Sequence, residues 1–281
     1  MISSIIFSKD RPLQLDLCLN SIKKNFVNCN QTIVIHNNSD VCSETDKTIQ
    51  SEHPEVEFWR QGRSLYRDLY SAVTSVDNDY VCFFTDDCIF FSKFEIADLN
   101  FWGTDVLTMA LRMGQNITER EHGGDGIKYP DPPAKLYSVE NYNLIAWPRT
   151  YHLYGSYWSY ALSVDGGVFS KDTMTKMLDE ICSLEDKYQW PQTPNGVEVA
   201  LQRFWTSAEA LTVSPPTSVV VNSPNNRVQG DIANESGNSY SQSNLDMLDA
   251  YLLGSRVNLD LLNFANIKCP HTEIDLMGGL T

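Results

Sequence analysis

The sequence predicts an α/β protein: a mostly parallel sheet with helices on both faces and an irregular C-terminal half. Three observations predict it. Short apolar runs rich in β-branched and aromatic residues alternate with helical periodicities through residues 1–91. The fourth such run, residues 80–84, leads into two adjacent carboxylates, Asp86 and Asp87. The composition, 42% hydrophobic and 11% aromatic over 281 residues, suffices for a substantial core.

The elements follow in order. Residues 2–7 read as the first strand. Ser8-Lys9-Asp10-Arg11-Pro12 is a loop leading into a helix, with Asp10 as N-cap and Pro12 in the first turn, where its missing N–H is not needed. Leu13, Leu15, Leu17, Leu19 and Ile22 carry that helix to about residue 24. Residues 31–36 form a second strand, followed by Asn37-Asn38-Ser39-Asp40 and a helix through about residue 51. Residues 55–59 are the third strand, and residues 64–76 are helical, with Leu65, Leu69, Ala72 and Val76 on one face. This βαβαβαβ order implies parallel strands joined by helical crossovers.

Beyond the acidic pair the pattern loosens. Residues 94–101 suggest a short helix, 105–111 a strand, 114–133 a surface loop, and 151–164 an aromatic, strand-like stretch. Residues 172–187 form an amphipathic helix, and 197–205 another, opened by Thr193-Pro194-Asn195-Gly196. Residues 218–221 suggest a strand, 222–243 a flexible polar loop, and 243–253 a closing helix. Neither a repeat nor a clean linker interrupts the chain. It reads as one domain over 1–281, regular over 1–91 and variable over 92–281.

Composition also excludes partners. With 21 Lys and Arg against 36 Asp and Glu, the net charge is −15. No basic run exceeds Lys23-Lys24, so a nucleic-acid footprint is missing. Apolar runs fall well short of the roughly 20 residues of a membrane span. Met1 leads directly into Ile2-Ser3-Ser4, without a basic region and a long apolar core, so no signal peptide is read and a cytoplasmic location is expected. The seven cysteines are odd in number and form no CxxC pair, which suits buried free thiols rather than a zinc site.

Two acids at the end of a buried strand repel each other and lose solvation, so they need compensation. A divalent cation with a phosphorylated ligand supplies it, because carboxylates suit Mg²⁺ and Mn²⁺. The competing reading is a sharp turn with solvated acids.

The residues around this pair resemble the GT-A glycosyltransferases, in particular compact, family-2-like, phage-type members. Residues 5–15, Ile5-Ile6-Phe7-Ser8-Lys9-Asp10-Arg11-Pro12-Leu13-Gln14-Leu15, look like the first strand and loop of that fold. Asn37-Asn38-Ser39 resembles its nucleotide-facing turn, and Thr85-Asp86-Asp87 its DxD metal motif. Asp165-Gly166-Gly167 is a looser match to the donor-sugar region. The likeness covers residues 1–91 well and the rest in pieces, and it implies a nucleotide-binding half at 1–91 and a donor-sugar and acceptor half at 92–281.

The resemblance implies a GT-A, Rossmann-like fold and transfer of a hexose from a UDP-sugar to a hydroxyl acceptor, carbohydrate or other. UDP-glucose is the choice by family frequency, and Mn²⁺ or Mg²⁺ the cofactor. It implies nucleotide contacts from Ser8, Asp10, Arg11, Asn38, Arg63 and Asp86, with Arg67 one turn from Arg63. It places the donor sugar at Asp86, Gly166 and Gly167, and the metal at Asp87 and His271, with His152 as the rival histidine. Glu198 is the implied base, with Asp165 second; inverting and retaining chemistry stay open. Tyr157 and Trp158 are the acceptor-side aromatics. Each residue has a bland alternative: a loop arginine, an Asx turn, a core aromatic, a structural histidine or a helix-start acid.

Two other functions compete. A sugar nucleotidyltransferase also joins α/β layers to acidic metal sites, but it brings a Gly-rich basic loop, and Ser8–Pro12 has the charges without a glycine. A non-catalytic nucleotide-sugar-binding module would keep the acids without needing a base. A P-loop is missing, and a dehalogenase-type Asp would belong on the first strand.

Overall fold

The computed structural model describes residues 1–40, 42–96, 99, 105–119, 137–139, 142–148, 157–160, 162–204, 210–228 and 236–281. The first part alternates as expected: β1 (Ile2–Ser8), α1 (Pro12–Asn25), β2 (Cys29–His36), α2 (Ser43–Glu52), β3 (Glu57–Arg60), α3 (Leu65–Ser75) and β4 (Tyr80–Thr85). The remainder adds β5 (Cys88–Phe90), β6 (Val106–Ala110), β7 (Tyr137–Val139), β8 (Leu144–Pro148) and β9 (Gly167–Ser170). It continues with α4 (Lys171–Tyr188), α5 (Pro194–Phe204), β10 (Leu211–Ser214), β11 (Val220–Asn222) and α6 (Asn244–Leu252).

One sheet of nine strands has the order β3-β2-β1-β4-β9-β6-β10-β8-β7, and β11 pairs with β5 beside it. The β3-β2-β1-β4 block is wholly parallel. Pair by pair, seven of the nine strands run one way and only β9 and β8 run against them. The sheet is therefore mostly parallel, as the alternation predicted.

Alternation along the central strands builds two cores. Ile6, Val34, Cys82 and Phe84 face a cluster with Leu13, Leu17 and Ile22 of α1 and Met247 of α6. Ile5, Phe7, Ile33, Ile35, Val81 and Phe83 face Leu65 and Leu69 of α3, Met174 and Leu178 of α4, and Val197 and Leu201 of α5. Residues one apart point to opposite faces, so a strand covered on both sides must be apolar throughout. Each such side chain contributes about 1.5–3 kcal/mol on full burial. All seven cysteines are free thiols.

Several local expectations are corrected. Asp10 does not cap α1: Arg11 occupies the N-cap position, and Asp10 adopts φ 55°. Asp10 instead accepts from the N–H and hydroxyl of Ser39, tying the β1 loop to the β2 loop. Arg63 lies before the α3 N-cap, Ser64, rather than on the helix. In the 94–101 span, Phe94 bridges Phe26 in parallel and residues 94–96 are not helical; of the rest only Leu99 is described. In the 151–164 span the described residues hold a 3₁₀ turn at Tyr157–Ser159, not a strand. The described parts of 222–243 are tied down: Asn225 is buried and donates to Gln242 Oε1 (2.7 Å) and to the Ile274 carbonyl (2.7 Å). Asn-rich composition reads as loop, but here the amides find buried partners.

Candidate active site

Parallel pairing of β1 with β4 brings their carboxyl ends together, and Asp86 extends the ladder by donating its N–H to the Phe7 carbonyl. Both acids are buried: Asp86 is 4% and Asp87 9% exposed. Arg11, 7% exposed, lies between them. Its Nη1 donates to Asp86 Oδ1 at 3.1 Å and to Asp87 Oδ2 at 2.5 Å. Asp86 Oδ2 accepts from Ser8 Oγ (3.0 Å) and the Lys9 N–H (2.9 Å), and Asp87 Oδ1 from Asn222 Nδ2 (2.8 Å). All four carboxylate oxygens are thus engaged by protein donors. Burial pushes the Asp86 carboxyl up to about 6 against the pull of Arg11, with Asp87 adding to the rise. Burial works against the Arg11 charge, and the two carboxylates more than offset it.

A second buried cluster is wired to the first. Asn222 Nδ2 also reaches Thr85 Oγ1 (3.0 Å), and Thr85 donates to Asp165 Oδ1 at 2.7 Å. Asp165 Oδ2 faces Arg112 Nη1 at 3.1 Å and His271 Nε2 at 3.4 Å. Arg112 Nη1 lies 3.2 Å from His271 Nε2, and Tyr157 Oη lies 2.9 Å from His271 Nδ1. Burial alone would raise the Asp165 carboxyl, but His271 and Arg112 bring it down to about 2. It is an anion throughout the physiological range.

Glu198 adjoins this cluster one turn into α5 rather than at its start. Its oxygens accept from the Val164 N–H (2.7 Å) and the Tyr160 hydroxyl (2.9 Å). Burial and the Asp165 charge raise its proton affinity, with Arg112 opposing. Gly166 and Gly167 make the close passage of Asp165 over β4 possible. Gly166 has φ 78°, which an L side chain rarely adopts. A Cβ on Gly167 would lie 2.4 Å from the Ser163 carbonyl oxygen.

The structure therefore brings together Ser8, Arg11, Asp86 and Asp87, and joins them to Asp165, His271 and Tyr157. Other expected residues lie apart. Arg63 is exposed, and Arg67 Nε lies 3.7 Å from Glu185 on α4. Asn38 accepts from the Asp10 N–H and donates to Asp46, which makes it a loop clamp. Trp158 is 4% exposed, packs edge-on against Trp147 and accepts the Trp147 indole N–H on its carbonyl. His152 lies outside the described residues. Arg112 and Asn222 belong to the site without having been anticipated, and Tyr160, one of the aromatics expected on the acceptor side, enters it as a donor to Glu198. No motif marks Arg112 and Asn222: β6 and β11 deliver them, and strand ends carry little sequence signal.

The donor set around Asp87 does not fit a divalent ion as it stands. Among the described residues no group of three His, Cys, Asp or Glu side chains is placed to hold a metal. His271 lies with Asp165, and a guanidinium sits between the paired acids. A metal there would meet Arg11 as a like charge. Among the described residues no helix is long and apolar enough to cross a membrane.

No family model and no curated protein sequence matches the chain. Solved structures of glycosyltransferases are among those similar to it in fold. The S. aureus TarS 1–349 structure is 13% identical over 78% of this chain and 59% of that one, with a TM-score of 0.46. The mannosyltransferase PcManGT from Pyrobaculum calidifontis, in complex with GDP-Man and Mn²⁺, is 11% identical over 78% of this chain and 56% of that one, with a TM-score of 0.43. The bifunctional IspDF from Campylobacter jejuni is 13% identical over 72% and 47%, with a TM-score of 0.37. The likeness is one of fold, and the chain spans less than two-thirds of the length of each.

Proposed function

We propose that this chain is a glycosyltransferase that moves a hexose from a UDP-sugar, UDP-glucose being the first to try, to a hydroxyl acceptor. One observation carries the reading. A continuous, largely buried, hydrogen-bonded line of charged and polar side chains runs from Arg11 through Asp86, Asp87, Asn222 and Thr85 to Asp165, at the carboxyl ends of β1 and β4. Ligands of open α/β sheets bind at such strand ends. A structural turn would leave its acids in water.

In the transfer, the bond from the anomeric carbon to the phosphate oxygen breaks and its electron pair leaves with the nucleoside diphosphate. The acceptor oxygen forms the new bond, and its proton passes to a carboxylate. Glu198 suits that role because its proton affinity is raised, which a base near neutral pH requires. Asp165, held as an anion by Arg112 and His271, is too weak a base for that proton and orients the reacting groups instead. Ser8, Asp10 and Asp86 belong to the nucleotide side in this reading, Gly166 and Gly167 to the donor sugar, and Tyr157 to the acceptor side. The sequence resemblance assigns leaving-group stabilisation to Mn²⁺ or Mg²⁺ at Asp87.

The test is release of nucleoside diphosphate from a panel of UDP-sugars, with and without Mn²⁺. Slow hydrolysis of one donor is expected. Glu198→Gln should retain UDP binding and lower turnover by about 10²-fold or more. Release from no donor, together with no binding of UDP or GDP, would overturn the reading.

A further inference from the structure

We infer that Arg11, rather than a divalent metal ion, is the cation that meets the donor diphosphate in this site. The inference rests on the glycosyltransferase reading above. Three features of the Arg11 environment carry it. First, the guanidinium already fills the position between Asp86 and Asp87 that a cation would take, and it engages both carboxylates through one nitrogen. An ion at Asp87 would have to break the 2.5 Å contact and would leave two cations facing each other. Second, the guanidinium is only partly used. Nη2 donates to the Asn226 carbonyl at 3.0 Å, whereas Nε is buried with no hydrogen-bond partner among the described residues. A buried guanidinium donor left unmet is unfavourable, and a phosphate oxygen is the acceptor such a fork matches best.

Third, unmet acceptors border the same seam. Gln14 Oε1 and Asn244 Oδ1 are buried without partners. Gln14 Nε2 reaches Asn226, which also holds Arg11, and Asn244 Nδ2 reaches the Asp10 carbonyl next to Arg11. One unmet cationic donor beside two unmet acceptors calls for a ligand that offers both an anion and hydroxyl donors. A nucleoside diphosphate offers its phosphates and its ribose hydroxyls. In the transfer step Arg11 moves no proton. It pairs with the charge that gathers on the phosphate oxygen as the anomeric bond breaks.

The experiment is calorimetric titration of UDP, and separately GDP, into the full chain in EDTA and in Mn²⁺. The inference expects one nucleotide to bind with a dissociation constant that is the same in both buffers to within about twofold. Arg11→Ala should weaken that binding at least about tenfold in EDTA, and Arg11→Lys, which keeps the charge but loses the fork, should fall between. Melting curves establish that each variant folds; should Arg11→Ala fail to fold, the two-buffer comparison on the unaltered chain decides alone. Binding that appears only with Mn²⁺, or tightens about tenfold on adding it, overturns the inference and leaves the glycosyltransferase reading standing. Binding of neither nucleotide in either buffer overturns both.

Discussion

At the residue scale, the charge state of Asp165 is the most specific consequence of the site. The Thr85 hydroxyl, His271 and Arg112 hold its carboxylate, and its value falls from 3.8 to about 2. A depressed acid stabilises the fold where it is ionised in both states and loses that contribution on protonation. The contribution is therefore complete above about pH 4 and fades as the pH falls from about 4 toward 2. A shift of that size is worth about 2 kcal/mol. Asp165→Asn removes the effect and leaves Arg112 buried without its partner. Urea unfolding across pH should show the variant less stable at neutral pH, with the gap to the unaltered chain narrowing by about 2 kcal/mol toward pH 2. A gap that stays constant over that window would mean that Asp165 is not held as an anion by the cluster. Asp165, Asp86 and Asp87 were legible in the sequence because adjacent or glycine-flanked acids interrupt apolar runs. Arg112 was not, since nothing in Ala110-Leu111-Arg112 reveals that β6 ends beside β9.

At the element scale, legibility follows the kind of contact that makes each element. The elements from β1 to β4 appear within a few residues of their expected bounds. Each is a local pattern, a strand run or a helical stripe, closed by a crossover of one hand. The strands β7, β8 and β10 were not anticipated, and β9 was read only as a donor-sugar motif. They are three to five residues long and take their pairing from distant segments, as β10 does from β8 and β6. Short strands of that sort have no period to detect. The element with the strictest demand is β9, which runs antiparallel between β4 and β6 and carries Asp165 at its entry. Gly167 pairs with both Phe83 and Ala110 there, and a Cβ on it would clash with the Ser163 carbonyl oxygen at 2.4 Å. The obstacle is backbone rather than the end of a flexible side chain, and Gly167 itself is held in the ladder on both sides. Gly167→Ala should cost about 2–3 kcal/mol and lower the melting temperature by several degrees. An unchanged melting temperature would show that the strand relaxes around the added methyl group.

At the scale of the whole molecule, the site holds two buried arginines, Arg11 and Arg112, each paired with carboxylates, inside a chain of net charge −15. A nucleotide sugar is itself an anion, so the two ranges of electrostatics oppose each other. On the proposed reading, the acidic surface repels the donor at long range, and the Arg11 guanidinium draws it at short range. Burial decides which of these salt can reach. The surface charges are solvated, and about 0.1 M salt screens them beyond roughly 10 Å. The arginine contacts lie in a drier environment and are screened far less. Added salt should therefore remove the repulsion before it weakens the attraction. Stopped-flow association of a fluorescent UDP analogue should speed up by a few fold between low and physiological ionic strength, while the dissociation rate changes little. A basic nucleotide-binding protein shows the reverse, with association slowing as salt rises. Slowing here would mean that the acids are segregated away from the entrance and that the local field of Arg11 and Arg112 reaches into solvent.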